Sequence, residues 1–207
     1  MLIHGNANWV FSQYICKVII IYMAFFDITN CDFYIVIKQL LLTKGKRVDL
    51  NRGDYVCRMG EKTSKFGVVV SGALKYSFTT SNGNERIISF AFIGDLVGSY
   101  CAMRSNSPSL IDIVAIESTV IYQLPIEQID AAIGLERRVK LSEAVCNQAL
   151  KSAVENYCKS ARERYVSLTL RFPDIHNRMT NRTIASYLGV TPESLSRLRK
   201  RLLTAEL

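Results

Sequence analysis

The apolar positions of this 207-residue chain change their period twice. Between Lys44 and Pro125 they come in short runs, broken every eight to twelve residues by turn-forming residues, which is the spacing of a small all-β barrel or sandwich. The runs predict strands at Arg47–Leu50, Tyr55–Cys57, Phe66–Ser71, Ala73–Thr80, Glu85–Phe92, Ile111–Ala115 and Thr119–Leu124. Turns fall at Arg52-Gly53-Asp54, Gly60, Gly72, Ser81-Asn82-Gly83-Asn84 and Gly94-Asp95. The Asn82-Gly83 pair is the strongest hairpin signal, because a two-residue hairpin turn needs positive φ at both central positions.

From Pro125 to Ser160 the period becomes helical. Leu141, Val145, Ala149 and Ala153 line one face, and Leu150, Val154, Tyr157 and Ala161 line another. A long helix apolar on two sides needs two packing partners. The economical pair is its own β-domain and the same helix of a second copy, which gives a two-fold dimer. The alternative is a monomer whose helix is buried between two domains. A further helix is expected from Arg162 to Phe172, stopped by Phe172-Pro173-Asp174.

Upstream of the strands, FYIVIKQLLL within Cys31–Thr43 predicts the last helix or turn before the sheet domain. Residues 18–26, VIIIYMAFF, form an apolar run behind Lys17. The run is too short for a bilayer, which needs about 20 apolar residues. It reads as a buried helix or edge strand, or as a signal-peptide core with no small-residue cleavage site after it. A third hypothesis, motivated by the poor fit of this segment to everything downstream, starts translation at Met23; a native N-terminal mass that includes Met1 excludes it.

The stretch from Thr180 to Leu202, TNRTIASYLGVTPESLSRLRKRL, predicts two short helices and a tight turn. Thr180 is the N-cap of the first, with Ile184, Ala185 and Leu188 on one face. Gly189 ends that helix, Val190 plugs the turn, Thr191 caps the next helix and Pro192 takes its first position. Leu195, Leu198 and Leu202 form the buried stripe of the second helix, and its other faces are polar and basic. This is the pattern of a helix-turn-helix, with a plain helical hairpin as the alternative.

Charge supports the first reading. Residues 161–207 hold nine basic and four acidic side chains, a surplus of five within the chain's net +8, which suits a polyanionic partner. The apolar fraction of 49% is ample for a packed core. The six cysteines, Cys16, Cys31, Cys57, Cys101, Cys146 and Cys158, form no CxxC and no close cluster, so neither a metal nor an iron–sulfur site is expected. They read as small buried hydrophobes in a reducing cytoplasm. His4 and His176 are the only histidines. With no P-loop, no GxSxG and no catalytic pair, an enzyme is not expected.

Taken in order, Arg52-Gly-Asp-Tyr-Val, Gly60-Glu61, Val68-Val-Val-Ser-Gly72, Gly94-Asp-Leu-Val-Gly98 and the helix-turn-helix resemble the Crp/Fnr family of bacterial transcription regulators over about Lys44 to Leu202. The helix-turn-helix looks most like that of its Bacteroidetes members. The resemblance implies an α+β chain: a cyclic-nucleotide-binding-like β-roll, a long dimerisation helix and a C-terminal winged helix-turn-helix. Residues 1–43 are then an N-terminal segment, 44–125 the β-roll, 126–160 the dimerisation helix and 161–207 the DNA-binding domain.

It also implies a cytoplasmic homodimer on a roughly palindromic stretch of double-stranded DNA, working with RNA polymerase and away from any membrane. By position, Glu193 and Arg197 are the base readers, since Glu accepts from the cytosine amine and Arg reads guanine bidentately. Pro192 stands where some members carry an Arg, so the operator is expected to differ from theirs. Thr180, Arg182, Thr191, Arg199 and Lys200 are expected on phosphates, with Ser194 beside them.

Nucleotide-binding members carry Gly-Glu for the ribose and an Arg-Ser or Arg-Thr about ten residues later for the phosphate. Here Gly98-Ser99-Tyr100 and Ser109-Leu110 occupy those places, and Arg104, nearby in an expected loop Cys101–Pro108, could substitute. cAMP is therefore not expected, no cofactor is implied, and a small-molecule effector stays unidentified. The competing function is an effector-binding module whose C-terminal helices make protein contacts instead of DNA contacts.

Overall fold

The computed structural model describes residues 31–205. The apolar run 18–26 and the Met23 hypothesis lie outside them. The first element is helix α1, Asp32–Lys44, with an acid in its first turn and a base in its last, as the helix dipole favours. Phe33, Tyr34, Ile37 and Leu41 form its buried face.

Eight strands follow: β1 (Lys46–Leu50), β2 (Tyr55–Cys57), β3 (Lys65–Ser71), β4 (Leu74–Thr79), β5 (Glu85–Ala91), β6 (Leu96–Val97), β7 (Asp112–Ala115) and β8 (Thr119–Pro125). They make two four-stranded sheets, ordered β1-β8-β3-β6 and β2-β7-β4-β5, antiparallel throughout. Leu50, Val69, Leu74, Val97, Ile113 and Ile121 fill the space between the sheets. Strand β3 is buried on both faces, which is why it reads as an unbroken apolar run and not as an alternation.

The β4–β5 hairpin does not close on a two-residue turn. The Thr80 N–H donates to the Asn84 carbonyl and the Gly83 N–H to the Thr80 carbonyl, both at 2.9 Å. Of the expected pair only Gly83 takes positive φ, at 76°. One left-handed residue suffices for a three-residue loop, so the Asn-Gly signal marked the hairpin but not its turn type.

Two helices cover the β1-β8-β3-β6 sheet. One is α1. The other, α3 (Ile126–Cys158), is broken at Gly134, where φ is 74° and ψ 174°. Before the break Ile126, Ile129 and Ile133 pack onto Phe66, Val68 and Leu124; after it Leu141 and Ala144 return to the same core. This corrects the face expected for the dimer contact. Leu141 is 1% exposed and Val145 leans on the core, so both belong to the inner side. Ala149 and Ala153 are exposed, and with Leu135, Val139, Cys146, Leu150 and Tyr157 they form the outer stripe, within about a 100° sector at 100° per residue.

Between β6 and β7 lies α2, Tyr100–Ser105, a helix where the sequence suggested a loop. Six residues are too few to display a helical period, and β6, two residues long, escaped for the same reason.

The C-terminal unit consists of α4 (Ala161–Arg171), α5 (Ile175–Arg178), α6 (Asn181–Leu188) and α7 (Pro192–Ala205). The expected wing is absent among the described residues: α5 fills the connection after Pro173, and α7 continues as one helix to Ala205. Helix α4 opens with a reciprocal capping box between Ser160 and Glu163.

This unit packs on the outer face of the second sheet. Ala73, Ile87, Phe90 and Phe92 share a core with Leu168, Ile175, Ile184 and Leu188. The Phe92 and Phe172 rings lie 3.8 Å apart. The edge strand β5 is covered by α6: the Ser186 hydroxyl donates to the Glu85 carbonyl (3.1 Å) and accepts from the Ile87 N–H (3.4 Å). No helix among the described residues is long and apolar enough to cross a membrane, and none of their His, Cys, Asp and Glu side chains cluster as a metal site.

Candidate nucleic-acid interface

Helices α6 and α7 are held at a fixed angle by local chemistry. The Thr180 hydroxyl accepts from the Thr183 N–H, and the Thr191 hydroxyl from the Ser194 N–H, each at 3.2 Å. Between these caps Gly189 sits in the left-handed region at φ 67°. Val190 N–H reaches the Ala185 carbonyl at 3.0 Å and Gly189 N–H the Ser186 carbonyl at 3.2 Å, the two bonds of a Schellman stop. Arg164 from α4 satisfies the Leu188 carbonyl at 2.7 Å. Ile184, Ala185, Leu188 and Leu195 are fully buried.

With Leu195, Leu198 and Leu202 turned inward, the helical period places Glu193, Ser196, Arg197 and Lys200 on the opposite, exposed face of α7. Arg197 has only a 3.4 Å bond to Ser194, so its guanidinium is nearly uncommitted. Hydrogen bonds from its own backbone N–H and from Thr191 hold the Glu193 carboxyl below the usual carboxylate range, and Arg197 adds to this. Glu193 is therefore an acceptor at neutral pH. Arg199 is half-buried and donates to Asn181 Oδ1 at 3.2 Å, which links the two helices. Thr180, Arg182 and Thr191 are exposed.

The effector position is built in the opposite way. Ser99, Tyr100 and Ser109 are buried. The Ser99 and Ser109 hydroxyls share a 2.8 Å hydrogen bond, and Ser109 also meets the Ile111 backbone, 2.7 Å from its carbonyl. A methyl at Gly98 would stand 2.7 Å from Phe66 and 2.8 Å from Met103. Arg104 is turned toward α3. Both its terminal nitrogens donate to the Asp130 carboxylate on α3, one at 2.7 Å.

A cleft of about 140 Å³ lies between the β-roll and the C-terminal unit, with Arg52, Lys75, Arg178, Thr180 and Thr183 in its lining. Two of its cations are committed, Lys75 to Glu85 and Arg178 to Glu117 and the Gly72 carbonyl.

Residues 47–134 match the model of the cyclic nucleotide-binding domain. The fumarate and nitrate reduction regulatory protein of Vibrio cholerae is 26% identical over 179 residues, 78% of this chain and 70% of that protein. The structure of FixK2 from Bradyrhizobium japonicum superposes with a TM-score of 0.66 at 22% identity, over 78% of this chain and 86% of that one. A protein assigned to the crp/fnr family from Eubacterium rectale does so at 0.61 and 20%, over 82% and 83%. The chain therefore carries a cyclic nucleotide-binding domain and shares the fold of Crp/Fnr regulators.

Within this fold the two sets of predicted site residues have different fates. The eight positions expected at the nucleic-acid interface lie together on and around α6 and α7, with Arg199 turned toward Asn181 rather than outward. The five expected to line a pocket also lie together, but they are satisfied by one another and by α3. Sequence reasoning missed Ser196, which shares the outward face of α7, and Arg178, which ties the helix-turn-helix unit to the β-roll. The helical period was the signal for Ser196; Glu117, the partner of Arg178, lies 61 residues away and gave none.

Proposed function

We propose that this DNA-binding transcription regulator acts in the cytoplasm as a homodimer on a roughly palindromic operator, without needing a cyclic nucleotide. The observation that carries the DNA reading is the exposed face of α7, with Glu193, Ser196, Arg197 and Lys200 side by side on a rigidly capped helix. α7 enters the major groove, Glu193 and Arg197 read base edges, and Thr180, Arg182, Thr191 and Lys200 hold phosphates. The named relative from Vibrio cholerae is a regulatory protein, which supports the same role here. The exposed stripe of α3 supplies the second copy's seat, and RNA polymerase is the expected further partner.

Independence from cyclic nucleotides is supported by the Ser99–Ser109 pair and by the commitment of Arg104 to Asp130. Such a site lacks both charged anchors and has spent its remaining polar groups internally.

The test is selection of duplexes from fragmented genomic DNA without added nucleotide, followed by titration of Arg197→Ala on the selected site and on random DNA. We expect a loss of about 1–3 kcal/mol confined to the selected site, with relaxed preference at one base pair. An equal loss on both DNAs makes Arg197 a phosphate contact, and no dependence of wild-type affinity on salt removes the DNA reading altogether.

A further inference from the structure

We propose that α2 is an internal tether that sets the bend of α3 at Gly134, standing in for the effector that the closed site no longer takes. The inference rests on the reading of that site as nucleotide-free. It starts from the break itself. A methyl built at Gly134 meets nothing within 4 Å, so nothing packs against the outer side of the break. The angle must be set by contacts on either side.

Helix α2 makes one on each side. Before the break, the Arg104 guanidinium grips the Asp130 carboxylate bidentately, with both side chains mostly buried. After it, the Tyr100 hydroxyl lies 2.8 Å from Ser142 Oγ. Ser142 spends its own proton on the Arg138 carbonyl at 3.0 Å, so Tyr100 is the donor. Arg104 stacks over the Tyr100 ring at 4.7 Å, which couples the two contacts within α2. Arg138, beyond the break, approaches Asp130 at 4.0 Å and spans it directly.

These contacts are directional. The apolar packing of Leu141 and Ala144 tolerates sliding, whereas a bidentate ion pair and a tyrosine hydrogen bond specify an angle. What the angle controls lies downstream: the exposed stripe from Leu135 to Tyr157, and the C-terminal unit that begins at Ala161. Releasing the tether spreads α3 over several bends, of which only a fraction places two recognition helices correctly. Apparent DNA affinity falls by that fraction.

The test uses the full chain and three variants: Tyr100→Phe, the paired Arg104→Gln/Asp130→Asn, and all three substitutions together. Removing both charges at once leaves no unpaired carboxylate to unfold the protein. Hydrogen exchange across residues 130–142 is compared with exchange in β3 and β8, and affinity is read on the selected duplex. In the triple variant we expect exchange at 130–142 to rise about tenfold or more, the factor that a lost hydrogen bond to a charged group implies. Exchange in β3 and β8 stays unchanged, and DNA affinity drops in parallel. Unchanged exchange at 130–142 overturns the tether, and so does faster exchange with undiminished DNA affinity. A wild-type chain that binds no duplex removes the proposed function instead, and the exchange comparison then decides the tether alone.

Discussion

The effector position and the recognition helix are both rich in polar side chains, yet they spend them in opposite directions. Around α2, Ser99 pairs with Ser109, Tyr100 with Ser142 and Arg104 with Asp130. On α7, Ser196 bonds back to its own helix, while Arg197 and Lys200 face solvent almost uncommitted. The difference is thermodynamic. A buried group that is already satisfied must lose its partner before it can bind anything, whereas an exposed, preordered donor loses only water. Polar residue types at a family's binding position therefore say little until their partners are known. The two faces of α3 repeat the contrast in apolar form: Ile133, Leu141 and Ala144 are spent on the core, and Leu150 and Tyr157 are left outside.

The hardest way to break this contrast is to put a ligand anchor back. Ser99→Glu places a carboxylate at a residue that is 7% exposed, where the nearby cation is already taken by Asp130. We expect a loss of about 3–5 kcal/mol of stability, the range for an uncompensated buried charge, and no gain in cAMP binding. Denaturant unfolding and calorimetric titration check both halves. A variant of normal stability that binds the nucleotide would show that the site is merely vacant, not closed.

Much of this contrast could not be read from residue order. The helix-turn-helix was legible because each of its signals is local: two threonine caps, Gly189 at the stop, and leucines at i, i+3 and i+7. Seven of the eight strands, all but the two-residue β6, were legible from the alternation of turns and apolar runs, to within one or two residues at their ends. The closed pocket was half legible. The missing Glu and Arg anchors are visible in the sequence, but the pairing of Arg104 with Asp130 spans 26 residues and has no local mark. The docking of the C-terminal unit on β5, through Phe92 with Phe172 and Ser186 with Glu85, spans still more. For α3 the period showed apolar residues on more than one side but drew the faces wrongly: Leu141 and Val145 turn to the core, whereas Ala149 and Ala153, expected beside them, join Leu150 and Tyr157 outside.

That error makes a test of intermediate size. Leu150 is 57% exposed on the outer stripe, whereas Val145 packs against the inner core. Leu150→Asp should weaken self-association by about 2 kcal/mol or more, as loss of an interface anchor does, with little effect on monomer stability. Val145→Asp should instead lower stability, because its charge enters the core. Sedimentation across a concentration series, paired with thermal unfolding, distinguishes them. If Leu150→Asp kept the wild-type mass at every concentration, the outer stripe would not be the contact surface.

The smallest effect is one of pH, and it lies in the unit whose outer surface is left free. His176 is partly buried on α5, with Nε2 2.7 Å from the Tyr165 hydroxyl. Burial, and secondarily Arg199, hold its pKa below the ordinary value of 6.5. The unfolded chain therefore takes up the proton at a higher pH than the folded chain does. Between the folded and unfolded values the unfolded state binds more protons, so stability rises with pH. The contribution is complete above about 6.5 and is lost as pH falls from there toward the folded value. A wild-type unfolding midpoint that drops between pH 7.5 and pH 6 should drop less in His176→Gln, where no proton is taken up. Parallel curves for the two proteins would mean that His176 is as easily protonated in the fold as out of it. The Tyr165 contact would then be no constraint on the helices that carry the recognition surface.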